Sequence, residues 1–241
     1  MKRKKLNVQN VGANLSQVKL HLDWCSHKAA KYAVEHWHYS KSLPGADLVK
    51  IGVWEDDKFI GCVIFSRGAN LHIGSSYNLT KFQAVELTRV ALNNHVAPVT
   101  KIISIALKML KKELNKIRLI ISYADGNQNH LGVIYQAGNW IYEGEFSNEL
   151  GIKLNGKIIH SRSLHNKYGT SKLEWLKNNI DKKAKAIKGK YKHKYLYPLD
   201  EQMKKQIANL NKCYPKCATG VNRSTSIHQI EGGGAVPTVA L

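Results

Sequence analysis

The chain has 241 residues and 27.1 kDa, 43% hydrophobic and 22% charged, which suits one sizeable core with a small appendage and excludes collagen, a coiled coil and a wholly disordered chain. Lys and Arg number 37 against 17 Asp and Glu, a formal net charge of +20 and a sequence pI near 9.8, so a polyanion is the expected partner. The basic start Met1–Lys5 runs into polar sequence rather than a signal-peptide core, and no segment approaches the roughly 20 apolar residues of a membrane span; a soluble cytoplasmic protein with no membrane partner, monomer or homodimer, is expected.

The first clear unit is Val49 to Phe65, two apolar, β-rich runs flanking Glu55-Asp56-Asp57-Lys58, which predicts a hairpin. Ser66 to Lys81 is a long loop rich in Gly, Ser and Asn, a candidate binding loop. Gln83 to Leu92 reads as a strand, with Val85, Leu87, Arg89 and Ala91 on one face and Ala84, Glu86, Thr88, Val90 and Leu92 on the other. Pro98 suits a first helical turn, and Val99, Ile102, Ile103, Ala106, Leu110 and Leu114 recur at helical spacing. Ile117 to Ala124 reads as a buried strand, His130 to Ala137 as a short helix and Trp140 to Phe146 as another strand. Asn155-Gly156 marks a second hairpin. The order is that of a mixed α/β domain.

From Gly151 to Cys217 the chain holds 17 Lys or Arg and 4 Asp or Glu. Within it Leu173 to Ile187 reads as a helix, Lys190 to Tyr197 as a strand and Asp200 to Leu210 as a last helix. The tail after Cys217 has no apolar period and is expected to be disordered. The domain reading is a basic arm over 1–24, a core over 25–160, a basic DNA-contacting extension over 161–217 and the tail over 218–241.

Four polar groups suggest a crevice where strands splay. Arg89, a cation in an apolar strand, requires either a carboxylate such as Glu86 or Asp125 or an anionic ligand. Asp125, directly after a buried strand, suits a base, a metal ligand or a cap of the next turn. Tyr135 suits a proton donor or a core tyrosine. His36, His38 and Tyr39 suit a base, a metal ligand, a stacking surface or aromatic packing at a helix end. Cys213 and Cys217 read as two thiols. Lysines interleaved with Tyr191, Tyr195 and Tyr197 fit nucleic acid, or a solvated basic face.

The motifs Glu-His-Trp-His-Tyr-Ser at 35–40, Phe-Ser-Arg-Gly-Ala-Asn at 65–70, Glu-Leu-Thr-Arg-Val-Ala-Leu at 86–92, Ser-Tyr-Ala-Asp at 122–125 and Gly-Val-Ile-Tyr-Gln-Ala-Gly-Asn-Trp at 132–140 go together. Across residues 25–200 the chain resembles the phage Mom family of DNA adenine-modifying proteins. The resemblance implies a fold similar to the GNAT acyltransferases, a mixed sheet whose two central parallel strands part. It also implies a transferase that puts a carbamoylmethyl group on the exocyclic amine of adenine in phage DNA, hiding it from host restriction enzymes. Its functional positions fall on His38, Tyr39, Arg89, Asp125, Tyr135 and Ser104, and an acetyl-CoA or related acyl or glycyl donor would be met by Arg89, Asn94, Thr100 and Tyr135. The loop expected to cradle such a cofactor departs from the acyltransferase pattern, reading Asn-Asn-His-Val-Ala-Pro-Val-Thr at 93–100.

The product is joined through a methylene carbon, so simple acyl transfer is insufficient; a redox metal such as iron on His38 and Asp125 is one route. The partner is double-stranded DNA with its target adenine flipped out against Trp37, Tyr39 and Tyr77. Arg67, Lys182, Lys183, Lys185, Lys188, Lys190 and Lys192 are the expected phosphate contacts. Two other readings compete: a non-catalytic basic DNA-binding protein on the same fold, and a conventional N-acetyltransferase.

Overall fold

The expected hairpin forms from β2 (Leu48–Glu55) and β3 (Lys58–Ser66), with Asp56 and Asp57 at φ 47° and 65°, the left-handed backbone a tight two-residue turn requires. It lies in a seven-stranded sheet of the computed structural model, which describes residues 18–215 except 46, 69–71 and 148. The remaining strands of that sheet are β1 (Leu20–Trp24), β4 (Ala84–Leu92), β5 (Leu119–Asp125), β6 (Ile141–Phe146) and β10 (Lys192–Pro198), in the order β1-β2-β3-β4-β5-β10-β6. All neighbours are antiparallel except β4 and β5, which are joined by the crossover helix α2 (Val99–Glu113).

The parallel ladder is short. It runs from Ala84↔Leu119 to Glu86↔Ile121, and beyond it the Ser122 hydroxyl donates across to the Leu87 carbonyl at 2.8 Å in place of a backbone pair. From there the two central strands part, as the resemblance implied.

Helix α2 lays Ile102, Ile103, Ala106, Leu107 and Leu110 over Val85, Leu87 and Ile120, joined by Tyr135 of α3 (Val133–Ala137) and by Trp140. Burying each of the Ile, Leu and Val side chains among them contributes about 1.5–3 kcal/mol before entropy is charged. On the other face, α1 (His27–Trp37) packs Ala30, Ala33 and Val34 on Cys62, Ile64 and Ala91, while α6 (Glu201–Ile207) packs Met203 and Ile207 on Leu119, Ile121 and Leu196. Between α1 and α6 that face carries polar side chains. No helix among the described residues is long and apolar enough to cross a membrane.

Several expectations are corrected. Residues 20–24, assigned to an arm, form the edge strand β1, paired from Leu20↔Glu55 to Trp24↔Ile51. Helix α3 begins at Val133 and not at His130, because Gly132 turns left-handed at φ 73°. The helix expected over 173–187 is α5 (Leu173–Asn179) alone. The Asp181 carboxylate accepts from the Asn155 and Lys183 amides, both at 2.8 Å, and turns the chain into a strand, β9 (Lys185–Lys188).

That strand belongs to a second sheet, β8-β7-β9, built from the Asn155-Gly156 hairpin β7 (Glu149–Leu154) and β8 (Lys157–Ile159). With α4 (Ser161–Tyr168) and α5 it encloses a small core of Ile152, Leu154, Leu164, Leu176 and Ala184. The unit is an insertion between β6 and β10, and β10 returns to lie between β5 and β6. A core ending at 160 and an extension beginning at 161 therefore divide this small unit through its middle, and one strand of the expected extension, β10, lies inside the large sheet. The expected tail over 218–241, and residues 1–17 of the expected arm, lie outside the described residues.

Candidate active site

Strict alternation along β4 sets Arg89 on the face of Val85 and Leu87. The observed register against β3 shifts between Phe65↔Leu87 and Ile64↔Arg89, leaving Thr88 as the extra residue of a bulge, its hydroxyl 2.7 Å from that of Ser66. One added residue inverts the alternation. Val90 and Leu92 rejoin the α2 side, and Arg89 comes to the face of Glu86, between α1 and α6.

There Arg89 donates from Nε to the Ser42 carbonyl at 3.3 Å and from a terminal nitrogen to the Thr88 carbonyl at 2.7 Å. Among the described residues no carboxylate lies within ion-pair distance of it, so the expected pair with Glu86 or Asp125 is not made. Burial works against its charge, partly offset by Tyr39 and Glu86. Burial likewise pushes the Glu86 carboxyl up, opposed by Arg89 and Lys192.

His38 and Tyr39 follow the end of α1. The His38 ring stacks obliquely on Tyr39 with centroids 4.4 Å apart, and its Nδ1 lies 2.8 Å from the Ser40 hydroxyl. Burial, then the charges of Arg89, His130 and Lys41, push the ring down to about 3, so it is neutral near pH 7. Tyr39 remains 44% exposed, with His130 edge-on at 5.4 Å. Burial and the Asp125 charge raise its hydroxyl, and Arg89 lowers it. Asp125 caps the 3-10 turn Gly126–Gln128, its Oδ1 accepting from the Asn127 amide at 2.9 Å and from the Asn127 side chain at 3.0 Å. The cap reading is thus realised, and the same charge bears on Tyr39.

Tyr135 belongs to the other face. It is a core residue, 8% exposed, packed between Trp140 and Tyr195, with its hydroxyl 2.7 Å from that of Ser122. Ser122 bridges the parting strands, and the pair is buried beneath the sheet. His38, Tyr39, Arg89 and Asp125 lie near one another on the opposite, polar face.

Sequence reasoning passed over the neighbouring polar network. The Tyr77 hydroxyl donates to Glu143 at 2.5 Å, Lys194 pairs with Glu143 at 3.0 Å, and the Lys194 ammonium lies over the rings of Tyr77 and Phe146 at 5.0 and 4.9 Å. Tyr77 is thereby 3% exposed, and Trp37 packs on Tyr32 and Phe59. Of the three aromatics expected around a flipped base, Tyr39 alone presents an open ring. Lys194 and Glu143 sit in adjacent strands far apart in sequence, a pairing visible only once β10 is placed.

Other candidates lie elsewhere. Ser104 is exposed on the outer side of α2, Asn94, at φ 46°, belongs to the β4–α2 connection, and Thr100 lies in the first turn of α2. Arg67 pairs with Asp47 at 3.8 Å and lies over the Phe82 ring. Lys182, Lys183, Lys185, Lys188 and Lys190 are exposed on the insertion and its exit, whereas Lys192 is half-buried opposite Asp125. The exit is fastened beside the site: the Asn127 side chain accepts from the Lys190 amide at 2.9 Å, and Gly126 donates to the Tyr191 carbonyl at 3.2 Å. Tyr191 is 58% exposed, while Tyr195 is fully buried.

The family model for the Mom protein family matches residues 19–216. The chain belongs to the Mom protein family. No curated protein matches the sequence. Among solved structures, similarity extends to the spermidine N-acetyltransferase of Vibrio cholerae in complex with CoA and spermine, at 10% identity, over 74% of this chain and 95% of that one, with a TM-score of 0.42. It extends also to a Bacillus subtilis acetyltransferase in complex with CoA, at 11% identity over 76% and 100% with a TM-score of 0.37. A GNAT family acetyltransferase of Elizabethkingia anophelis with acetyl-CoA bound matches at 12% identity over 76% and 99%, with a TM-score of 0.35.

In this Mom family member the residues do not fit iron as expected. Among the described residues no group of three or more His, Cys, Asp or Glu is disposed to hold a metal ion, so His38 and Asp125 find no third ligand of these types. Nor does the β4–α2 loop fit a cofactor diphosphate as built: the Glu55 carboxylate already accepts from the Val96 and Ala97 amides.

Proposed function

We propose that this chain modifies adenine in double-stranded DNA, placing a carbamoylmethyl group on the exocyclic amine and hiding phage DNA from host restriction enzymes. The observation that carries the reading is Arg89. A β-bulge turns it onto the polar face of the sheet, where carbonyls and not a carboxylate hold it, so its charge is left for a ligand. A cation in that position polarises the carbonyl of an incoming acetamide group whose methylene carbon bears the donor's leaving group, and presents that carbon to a nucleophile.

Tyr39, open and beside Arg89, receives the flipped base by stacking, and flipping costs a few kcal/mol that the pocket repays. As the amine nitrogen bonds to the methylene carbon it releases one proton, and the leaving group departs with its electron pair. Glu86 and Asp125 are the carboxylates at hand for that proton, and neutral His38 supplies a hydrogen-bonding edge. The lysines of the insertion and its exit hold the DNA backbone, fastened to the site through Asn127. A protein that only binds DNA has no use for Arg89, and a conventional acetyltransferase has none for the basic insertion.

The test is mass spectrometry of nucleosides from the DNA of cells expressing the protein. A deoxyadenosine with one hydrogen replaced by carbamoylmethyl is expected, absent with Arg89→Ala. Only ordinary nucleosides under good expression would sink the proposal, and acetylation of a supplied amine or peptide would favour the acetyltransferase instead.

A further inference from the structure

At the end of β2, far in sequence from the crevice, the Glu55 carboxylate is 6% exposed and is turned onto the loop that leads into α2. Its two oxygens accept from the Val96 amide at 3.1 and 2.9 Å, and one of them accepts from the Ala97 amide at 2.7 Å. The loop is closed further by His95, whose Nδ1 lies 2.9 Å from the Ala97 carbonyl, and by the Asn93 amide, which donates to the Ile60 carbonyl at 2.9 Å. Pro98, at the helix cap, contributes no amide hydrogen and no side-chain cap. Consecutive backbone amides leading into a long helix are the donors a phosphate takes, because the groups point outward and the helix dipole favours negative charge. Here the protein supplies that negative charge itself. A diphosphate entering the loop would have to displace a buried carboxylate from three short hydrogen bonds and then lie against it, charge to like charge.

We infer that the β4–α2 loop of this chain is closed to phosphate by its own Glu55, and that the donor carries an acetamide group, with the leaving group on its methylene carbon, recognised through that group at Arg89, with no diphosphate held at α2. The inference rests on the reaction proposed above for the identity of the transferred group. Its test reads the loop directly, so it stands or falls separately from whether DNA is modified.

The experiment is a titration of the full, isotopically labelled chain with CoA, following the amide resonances of Val96 and Ala97, with inorganic pyrophosphate as competitor. The two resonances are expected to keep their positions up to millimolar CoA. CoA-induced shifts confined to other residues would agree with the inference. Saturating shifts of Val96 and Ala97 that pyrophosphate reverses would overturn it, since Glu55 would then leave the loop to a phosphate. Glu55→Gln keeps the size and removes the charge, and it should raise pyrophosphate affinity about ten-fold or more. A folded variant that gains nothing would show that Glu55 is not what closes the loop. If that variant does not fold, the titration of the unaltered chain decides alone.

Discussion

The two sheets divide burial and charge between them. The seven-stranded sheet is covered on both faces, by α2 and α3 on one side and by α1 and α6 on the other. Among the described residues the insertion's three-stranded sheet is held by a cluster of five buried residues with partly buried neighbours around it, and its exposed residues include Lys182, Lys183, Lys185 and Lys188. Rigid packing suits the sheet that must fix Arg89, Tyr39 and Asp125 relative to one another. On the proposed function, backbone phosphates need positive charge more than position, so a small core would suffice for the unit that offers it.

The sharpest way to break this division is to alter one sheet and read the property assigned to the other. Arg89→Ala should lower adenine modification by about 100-fold or more, as loss of a cation beside a developing charge does, while DNA affinity and thermal stability stay near those of the unaltered protein. Modification and affinity falling together would mean that the crevice also holds the backbone.

The reverse change is smaller. If about five lysines of the insertion and its exit contact phosphates, log affinity should fall against log salt with a slope of about −4 to −5. Neutralising Lys182, Lys183 and Lys185 together should make that slope shallower by about 2 to 3. The preferred adenines should not change, because phosphate contacts carry no base identity. An altered sequence preference in the triple variant, measured by sequencing the modified sites, would move base recognition into the insertion.

The smallest effect concerns pH and belongs to the large sheet alone. The His38 ring lies at about 3 in the folded chain against an ordinary value of 6.5, so between those limits the unfolded chain binds the extra proton. The stability that depends on keeping this ring neutral is complete above about pH 6.5 and is lost as the pH falls toward 3. Melting temperature should therefore drop on acidification from pH 7 to 5 by more in the unaltered protein than in His38→Gln. Parallel curves would show that the ring is not held neutral.

What the sequence disclosed followed local chemistry. The β2–β3 turn, the helical stripe of α2 and the Asn155-Gly156 hairpin each carry their signal within a few residues, and each formed as read. The errors arose where a distant partner decides. A hydroxyl on β3, Ser66, meets Thr88 at the bulge that turns Arg89 over; Asp181 reaches Asn155 and ends a helix early; β10 enters the sheet beside strands that precede it by a whole insertion. Of the candidate site, the residue types were legible, and Arg89, Asp125, His38 and Tyr39 lie near one another. Their faces were not, because one unpaired residue in a strand inverts everything after it. Glu55 left no local trace, since a carboxylate at a strand end is ordinary until the loop it meets is known.

Phe146 and Lys192 stand directly opposite one another at the ends of β6 and β10. The whole basic unit thus leaves and re-enters the large sheet at neighbouring positions, as the tip of an ordinary hairpin does. Because the entropy of closing a loop rises only with the logarithm of its length, about 0.6 kcal/mol for each doubling, chain closure alone sets little limit on the size of the unit between those two residues, apart from its exit at Lys190 and Tyr191, which is held to Asn127 and Gly126. On the proposed function, the surface offered to DNA can accordingly be remodelled over generations without disturbing the register of the strands of the large sheet.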